Sequence, residues 1–120
     1  GYTMVLVSLR FSVNPSLLKM PYDPARDLDP VTMTAAVGNV LVVNAKSPVK
    51  SVKELIALAR QKPGELTFAS SGIGGAPHLV GEFFALQTGV KLSHIAYKGG
   101  GPAIADLLGG NVSMSFASMT

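Results

Sequence analysis

Apolar residues recur at helical spacing over residues 51–64, SVKELIALARQKPG. This spacing of three or four positions predicts a helix with one buried face. The predicted buried face consists of Val52, Leu55, Ile56 and Ala59. Ser51 and Glu54 have the spacing of a capping box, in which each side chain satisfies a free N–H group of the first turn. The pair Pro63-Gly64 ends the helix, because neither residue continues a helical pattern.

Two further helices are predicted at 77–88 and 102–108, the first beginning at Pro77 and ending before Gly89. The apolar face of the helix at 77–88 is expected to consist of Leu79, Val80, Phe83, Phe84 and Leu86. Short apolar runs between the helices predict strands at 40–44, 66–70, 92–96 and 112–116. Strands that alternate with helices through short connections favour parallel pairing, so the sequence predicts an α/β fold with a mainly parallel sheet.

The first part of the chain is less regular. Residues 2–8 are rich in Val and Leu and predict a strand, and 31–37 are also strand-like. Between them, 10–30 contains four prolines, which argues against a long helix and leaves room for single helical turns at 16–19 and 25–28. Around Gly38-Asn39 two interpretations remain open, a tight hairpin or one long strand with a bulge.

Composition indicates a globular chain with a buried core, since 48% of residues are hydrophobic and 14% are charged. The ten Lys and Arg residues are scattered, whereas a nucleic-acid surface normally clusters them, so no nucleic-acid partner is predicted. The chain has no cysteine, which excludes disulfides, zinc thiolates and thiol catalysis. Both ends of the chain are strand-like, and we expect a fragment of a longer protein that self-associates when isolated.

Two glycine-rich loops are predicted at one edge of the sheet, the 70–76 loop and the 97–101 loop. Ligands of open parallel sheets bind beyond the carboxyl ends of the strands, where free N–H groups and helix N-termini favour anions. Glycines there serve equally well to turn the chain tightly, but two such loops on one edge favour binding. Neither loop has the dinucleotide or phosphate-loop spacing, because Pro77 replaces the third glycine and Lys98 precedes its glycines.

Catalytic patterns are weak. His94 lies within a predicted strand, which is typical of a packed histidine, and His78 is placed either to donate to a ligand or to cap the helix. Glu82 and Asp106 are expected to face solvent or to form ion pairs. Ser70 and Ser71 lack the G-x-S-x-G turn of a hydrolase nucleophile. The sequence therefore favours a binding protein over an enzyme, with no cofactor or metal predicted.

Three segments then make the chain recognisable: YDPARDLDPV, ASSGIGG and YKGGGPAIADLLGG. Together they resemble the Bug, or TctC-like, family of extracytoplasmic solute receptors, and the resemblance extends over essentially all 120 residues. It implies the type II periplasmic-binding-protein fold of two α/β lobes closing around a small carboxylate. It also implies a periplasmic location, and a chain that lacks the family's first strand and helix and its C-terminal part.

The resemblance further implies a division of the chain into lobes. Residues 1–36 would form part of lobe one, 37–44 would cross the hinge, and 45–120 would form most of lobe two. This favours a crossing strand at Gly38-Asn39 over a hairpin. The implied partners are a small organic carboxylate and the membrane components of a tripartite tricarboxylate transporter. The alternative from another class is a fragment of an α/β enzyme that binds phosphate or a nucleotide.

The implied ligand-binding positions come from several loops. The resemblance implies a cleft-lining loop after the first strand, a carboxylate-binding loop with His78 behind it, and a contribution from the 97–101 loop. The residues concerned are Ser12, Val13, Asn14, Ser70, Ser71, Gly72, Gly74, His78, Tyr97, Lys98 and Gly99. Ser118 is a further candidate, although relatives often have Asp-Asn or Asp-Ser where this chain has Ala117-Ser118. That departure makes recognition of an amino group less favourable.

Overall fold

The computed structural model describes residues 3–119, and the chain divides into two compact units, Gly1–Ala36 and Val37–Thr120. The first unit contains helix α1 (Leu9–Leu17). The described part of the second unit contains strands and helices in alternation. In chain order these are β1 (Asn39–Val43), α2 (Val52–Gln61), β2 (Thr67–Ser70), α3 (Ala76–Thr88), β3 (Ser93–Ala96), α4 (Gly100–Gly109) and β4 (Met114–Ser118).

The first unit departs from the sequence predictions. Residue 2 lies outside the described residues, and 3–8 are exposed and form no strand, so the predicted first strand is wrong over the described part. Residues 31–37 form no strand either. An apolar run becomes a strand only when a neighbour supplies ladder hydrogen bonds, and no described strand pairs with these two segments.

Helix α1 was not expected, because Pro15 lies inside it. The proline stands in the last turn, where its missing N–H removes a single backbone bond, so the helix forms and then stops two residues later. Phe11 stacks on Tyr22 with ring centroids 5.9 Å apart. The turn expected at 25–28 is present as a hydrogen-bonded turn around Asp23, whose carbonyl oxygen accepts from the Asp27 N–H at 2.8 Å.

The second unit confirms the α/β prediction. Its four-stranded sheet has the order β1-β4-β2-β3, and β2 pairs in parallel with both β3 and β4. Strand β1 differs from the simple expectation of parallel strands: it is antiparallel to β4, with Asn39 opposite Ser118 and Val43 opposite Met114. Because 31–37 form no strand, both interpretations of Gly38-Asn39, the hairpin and the long strand with a bulge, are wrong, and β1 begins at Asn39.

Helix α2 begins as its capping box predicts. The Ser51 hydroxyl accepts from the Glu54 N–H at 3.2 Å, and the Glu54 carboxylate accepts from the Lys50 N–H at 2.7 Å. Leu55 and Ala59 are buried as predicted, whereas Val52 is exposed. The C-terminus of α3 also follows its prediction, because Gly89 adopts the left-handed conformation that closes the helix.

The core has one layer on each face of the sheet. Residues of α2 and α3 pack on the face that carries Phe68 and Met114, whereas Ala103 and Leu107 of α4 pack on the face that carries Ala69. The apolar face predicted for α3 is only partly correct. Leu79, Val80 and Phe84 are partly buried, but Phe83 and Leu86 are largely exposed. The helix instead approaches the sheet through Gly81, where a Cβ atom would overlap the Phe68 ring.

This close approach yields a stability prediction. Gly81→Ala should lower the free energy of unfolding by about 1–3 kcal/mol, because the added methyl group must displace α3 or the fully buried Phe68 ring. Urea unfolding of the whole protein measures the change. Gly101→Ala in α4 is the matched control, since its Cβ meets nothing within 4 Å and alanine favours a helix. Equal stability of the two variants would contradict the predicted overlap.

Candidate functional site

The two glycine-rich loops lie side by side at the carboxyl edge of the sheet, as predicted. The 70–76 loop joins β2 to α3, and the 97–101 loop joins β3 to α4. Because β2 and β3 are parallel, with Ser70 opposite Ala96, both loops begin at the same height. The Tyr97 N–H donates to the Ser70 carbonyl oxygen at 2.9 Å and links the start of one loop to the start of the other.

Three loop glycines adopt backbone conformations that other residues rarely take. The φ angles are +134° at Gly72, +76° at Gly74 and +110° at Gly99. Gly74 and Gly75 are also buried. A side chain at any of the three left-handed positions strains the backbone, so these loops depend on glycine for their shape as well as for access.

The hydrogen bonds of the 70–76 loop show that two of its glycines turn inward. The Gly72 N–H donates to the Ser70 hydroxyl at 3.2 Å, and the Gly74 N–H donates to Nδ1 of His78 at 3.1 Å. Their N–H groups are therefore already occupied. The N–H donors of this segment without a partner among the described residues belong to Ser71, Ile73, Ala76 and His78. Ala76 and His78 belong to the first turn of α3, a 13-residue helix, and Ser71 and Ile73 belong to the loop that precedes it.

Behind the loop, two histidines stack. The His78 and His94 rings have centroids 4.0 Å apart with an interplanar angle of 19°. The other face of His94 stacks on Phe68 at 4.8 Å, and its Nε2 lies 2.6 Å from the Ser70 hydroxyl. Burial lowers the pKa of His94, the neighbouring His78 lowers it further, and Glu82 opposes both effects. His94 is thus packed as predicted, but it also has a polar partner.

The pairing of His94 with Ser70 was not predicted from the sequence. The signal was present in the strand periodicity, because side chains two apart on a strand share a face and Phe68 is opposite His94 in the register. Ser70 must then point to the same face as His94. The sequence does not reveal the register between β2 and β3, and without it Ser70 cannot be placed beside His94.

The beginning of the 97–101 loop is fastened to α4. The Tyr97 hydroxyl donates to the Asp106 carboxylate at 2.6 Å, and the Asn111 side-chain amide donates to the other carboxylate oxygen at 3.1 Å. The hydrogen bond to Asp106 raises the pKa of Tyr97, and the bonds from Tyr97 and Asn111 lower the pKa of Asp106. Asp106 therefore fixes the loop through hydrogen bonds, whereas the sequence suggested a solvent-facing or ion-paired carboxylate.

The remaining predicted positions are less constrained. Ser71 is partly buried, Lys98 is exposed, and the exposed Ser118 donates to the Asn39 side-chain oxygen at 3.2 Å. Ser12 and Asn14 lie in the first unit, on helix α1. The expectation that they belong to a loop after a strand is therefore wrong, because helix α1 begins at Leu9. The His78 Nε2 lies 3.7 Å from the Glu82 carboxylate, a contact that is an ion pair only when His78 is protonated.

The described residues, 3–119, lack the features of two other classes of site. Within that range, no group of three or more His, Cys, Asp or Glu side chains is arranged to hold a metal ion. The described helices are also too short or too polar to cross a membrane.

Comparison with known proteins identifies the family. The family model described as "Tripartite tricarboxylate transporter family receptor" (TctC) matches residues 1–120. Protein BugT of Bordetella pertussis is 43% identical over 122 residues, covering 99% of this chain and 37% of that protein. A UPF0065 protein from the tcbD-tcbE intergenic region of Pseudomonas sp. strain P51 is 37% identical, covering 100% of this chain and 36% of its own length. The chain thus spans little more than a third of these relatives.

Solved structures show the same fold. A structure described as "R. palustris Rpa4515 with adipate" matches with a TM-score of 0.75 and 42% identity, covering 83% of this chain and 33% of the other. A structure described as a periplasmic transporter matches with a TM-score of 0.77 and 39% identity, covering 92% and 36%. Because the family model spans the whole chain and these relatives share its fold, the chain belongs to the TctC family of solute-binding receptors.

Proposed function

We propose that the whole protein is a periplasmic receptor that captures a small organic carboxylate and delivers it to the membrane components of a tripartite tricarboxylate transporter. The observation that carries this proposal is the set of N–H donors around the start of α3, from Ser71, Ile73, Ala76 and His78, that have no partner among the described residues. Such donors at a helix N-terminus favour a negatively charged group.

The charges nearby support an anion. Neither the 70–76 loop nor the 97–101 loop contains an acidic residue, and the 97–101 loop contributes the exposed Lys98. Glu82, the acidic residue of α3, lies a turn and a half inside the helix and is turned toward Nε2 of His78. A carboxylate at the loop therefore meets oriented N–H dipoles and a lysine, and no acidic side chain within the two loops opposes it.

A dicarboxylate is the proposed ligand class. A relative that is 42% identical is described with adipate, and the loop segment of this chain supplies donors for one carboxylate. Ser12, Asn14 and Ser118 remain proposed ligand-binding positions on the basis of the family resemblance alone. Their contribution requires the predicted division into lobe one (1–36), a hinge-crossing strand (37–44) and lobe two (45–120), which likewise remains a proposal.

We propose binding without catalysis, because the hydroxyl of Ser70 is enclosed. Ser70 is buried, with 1% of its surface exposed, and its hydroxyl contacts both the N–H and the carbonyl of Gly72 as well as His94. A nucleophile must reach its substrate, and this hydroxyl is enclosed. The alternative of a phosphate- or nucleotide-using enzyme is accordingly not favoured.

The proposal predicts the effect of a side chain at Gly74. In the whole protein, Gly74→Val should lower the affinity for the carboxylate more than about tenfold, because a β-branched residue cannot hold φ = +76° without reshaping the loop. Gly64→Val is the matched control. Gly64 has nearly the same angle, +77°, but lies before β2 at the opposite end of that strand, and its Cβ meets nothing within 4 Å.

Isothermal titration calorimetry of both variants distinguishes strain from binding. The Gly64 variant should lose stability and keep its affinity, whereas the Gly74 variant should lose affinity. A folded Gly74→Val protein with unchanged affinity would reduce the 70–76 loop to a simple turn. Native mass spectrometry of the protein as purified identifies a retained ligand and provides the starting compound.

The charge of the ligand provides a second test. Succinate, glutarate and adipate form a panel of linear dicarboxylates, each compared with its monomethyl and dimethyl ester. The dimethyl ester should not bind, because a neutral group loses the favourable interaction with the helix dipole and the N–H donors. AMP and inorganic phosphate test the enzyme alternative in the same calorimeter. Equal affinity for acid and dimethyl ester would indicate an apolar pocket and overturn the proposed carboxylate site.

A further inference from the structure

The shape of the 70–76 loop depends on one hydrogen bond between its backbone and a titratable side chain. The buried Gly74 N–H donates to Nδ1 of His78 at 3.1 Å. A backbone N–H is always a donor, so Nδ1 must offer a lone pair in this arrangement. The neutral imidazole then carries its hydrogen on Nε2, the nitrogen that faces the Glu82 carboxylate at 3.7 Å.

The stacked partner, His94, has the same tautomer for a different reason. The Ser70 hydroxyl has one hydrogen and two lone pairs, and it contacts the Gly72 N–H, the Gly72 carbonyl oxygen and the His94 Nε2. All three contacts are hydrogen bonds only if the serine donates to the carbonyl and accepts twice. The His94 Nε2 must therefore carry a hydrogen.

The two rings respond differently to a second proton. On His94 the proton is added at Nδ1, and the Nε2–H bond to Ser70 is kept. On His78 the proton is added at Nδ1, the atom that accepts the Gly74 N–H. Two N–H groups then face each other, and the Gly74 N–H loses its acceptor. Because Gly74 is buried, water has little access to replace that acceptor. Only the charged form of His78 breaks the bond to the loop.

The surroundings determine which ring takes the proton. In α3 and the four strands that pack with it, the side chains that titrate near neutral or acidic pH are His78, Glu82 and His94. From α2, the Arg60 guanidinium reaches α3 at the Thr88 carbonyl, ten residues and about 15 Å from His78. Stacking at 4.0 Å opposes two charges on the pair, and burial lowers the pKa of His94. Burial and the neighbouring His78 thus disfavour a charge on His94, and the Glu82 carboxylate lies 3.7 Å from Nε2 of His78.

We propose that His78 is a proton-sensitive positioning residue, which holds the 70–76 loop in its binding shape while neutral and releases Gly74 when its Nδ1 is protonated. The inference rests on the proposed carboxylate-binding function for its consequence. The Glu82 carboxylate, 3.7 Å from Nε2, offsets the charge added to His78, so the lost loop bond decides the outcome and affinity falls as the pH is lowered. Histidine as a residue type ordinarily changes charge between about pH 5 and pH 8, and the test therefore spans that interval. The loss of one hydrogen bond of ordinary net strength corresponds to about a fivefold loss of affinity.

Substitutions of His78 distinguish two properties of its Nδ1, the acceptance of the hydrogen bond from Gly74 and the gain of a proton. His78→Asn places an amide oxygen near the position of Nδ1, where it accepts from Gly74 but does not titrate. His78→Leu removes the acceptor. His94→Gln is the matched control, because it removes the second titrating ring and keeps a donor for Ser70. Affinity for succinate, glutarate and adipate is measured in the whole protein at pH 7.5 and pH 5.5.

Between pH 7.5 and pH 5.5 the wild-type protein should lose about fivefold more affinity than His78→Asn. Protonation of the ligand affects both proteins equally, so it does not contribute to this difference. His94→Gln should bind more weakly at both pH values, because the stack on His78 is lost, but should keep the pH dependence of the wild type. His78→Leu should bind weakly at both pH values. Equal pH dependence of wild type and His78→Asn would overturn the proposal while leaving carboxylate binding intact.

A measurement without ligand separates this inference from the proposed function. Nuclear magnetic resonance of the ligand-free protein follows the tautomers of both histidines and the hydrogen-exchange protection of the Gly74 amide as the pH is lowered. Protection should be lost together with the titration of His78, even if none of the dicarboxylates binds. Constant protection of Gly74 through the titration of His78, or titration of His94 in place of His78, would overturn the proposal.

Discussion

The close packing of α3 on Phe68 is the constraint on which the candidate site depends. Gly81 lets the helix approach until its backbone lies against the ring, and that ring also stacks on His94. His94 in turn stacks on His78 in the first turn of the same helix. The helix therefore contacts the sheet through Gly81 and through His78, which fixes the start of α3 relative to the end of β2. The position of the 70–76 loop follows from these two contacts.

Polar groups at this edge of the sheet join neighbouring elements through hydrogen bonds. Ser70 connects β2 to β3 through His94, and its carbonyl oxygen connects the 70–76 loop to the 97–101 loop through the Tyr97 N–H. On the other side of the sheet, Asp106 connects the Tyr97 hydroxyl to α4. The bonds of Ser70 satisfy a hydroxyl that would be costly to bury alone, and all of these bonds together hold this edge of the sheet in place.

The family and the local geometry agree on one point, which is that this part of the chain is compatible with binding a solute. Membership of the TctC family identifies a solute-binding receptor, and the structure of this part of the chain contributes one anion-compatible edge of a sheet. The relatives are almost three times as long, so the partner for the other end of a ligand is a matter of the whole protein. What these residues supply is a rigid donor set, whose rigidity comes from the stacked histidines and the inward-turned glycines.

The sequence by itself determined the features that arise within a few residues of the chain. The capping box at Ser51, the closing turn at Gly89, the order of elements after residue 40 and the placement of two glycine-rich loops were all predicted, because spacing and local backbone preference decide them. Tertiary structure decided the rest. Strand formation at 3–8 and the antiparallel direction of β1 depend on a pairing partner that is distant in sequence. The exposure of Phe83 and the hydrogen bond from the Gly74 N–H to His78 depend on the exact position of α3 on the sheet. The local sequence pattern specifies neither the distant partner nor the position of the helix, because strand pairing and register depend on two segments at once.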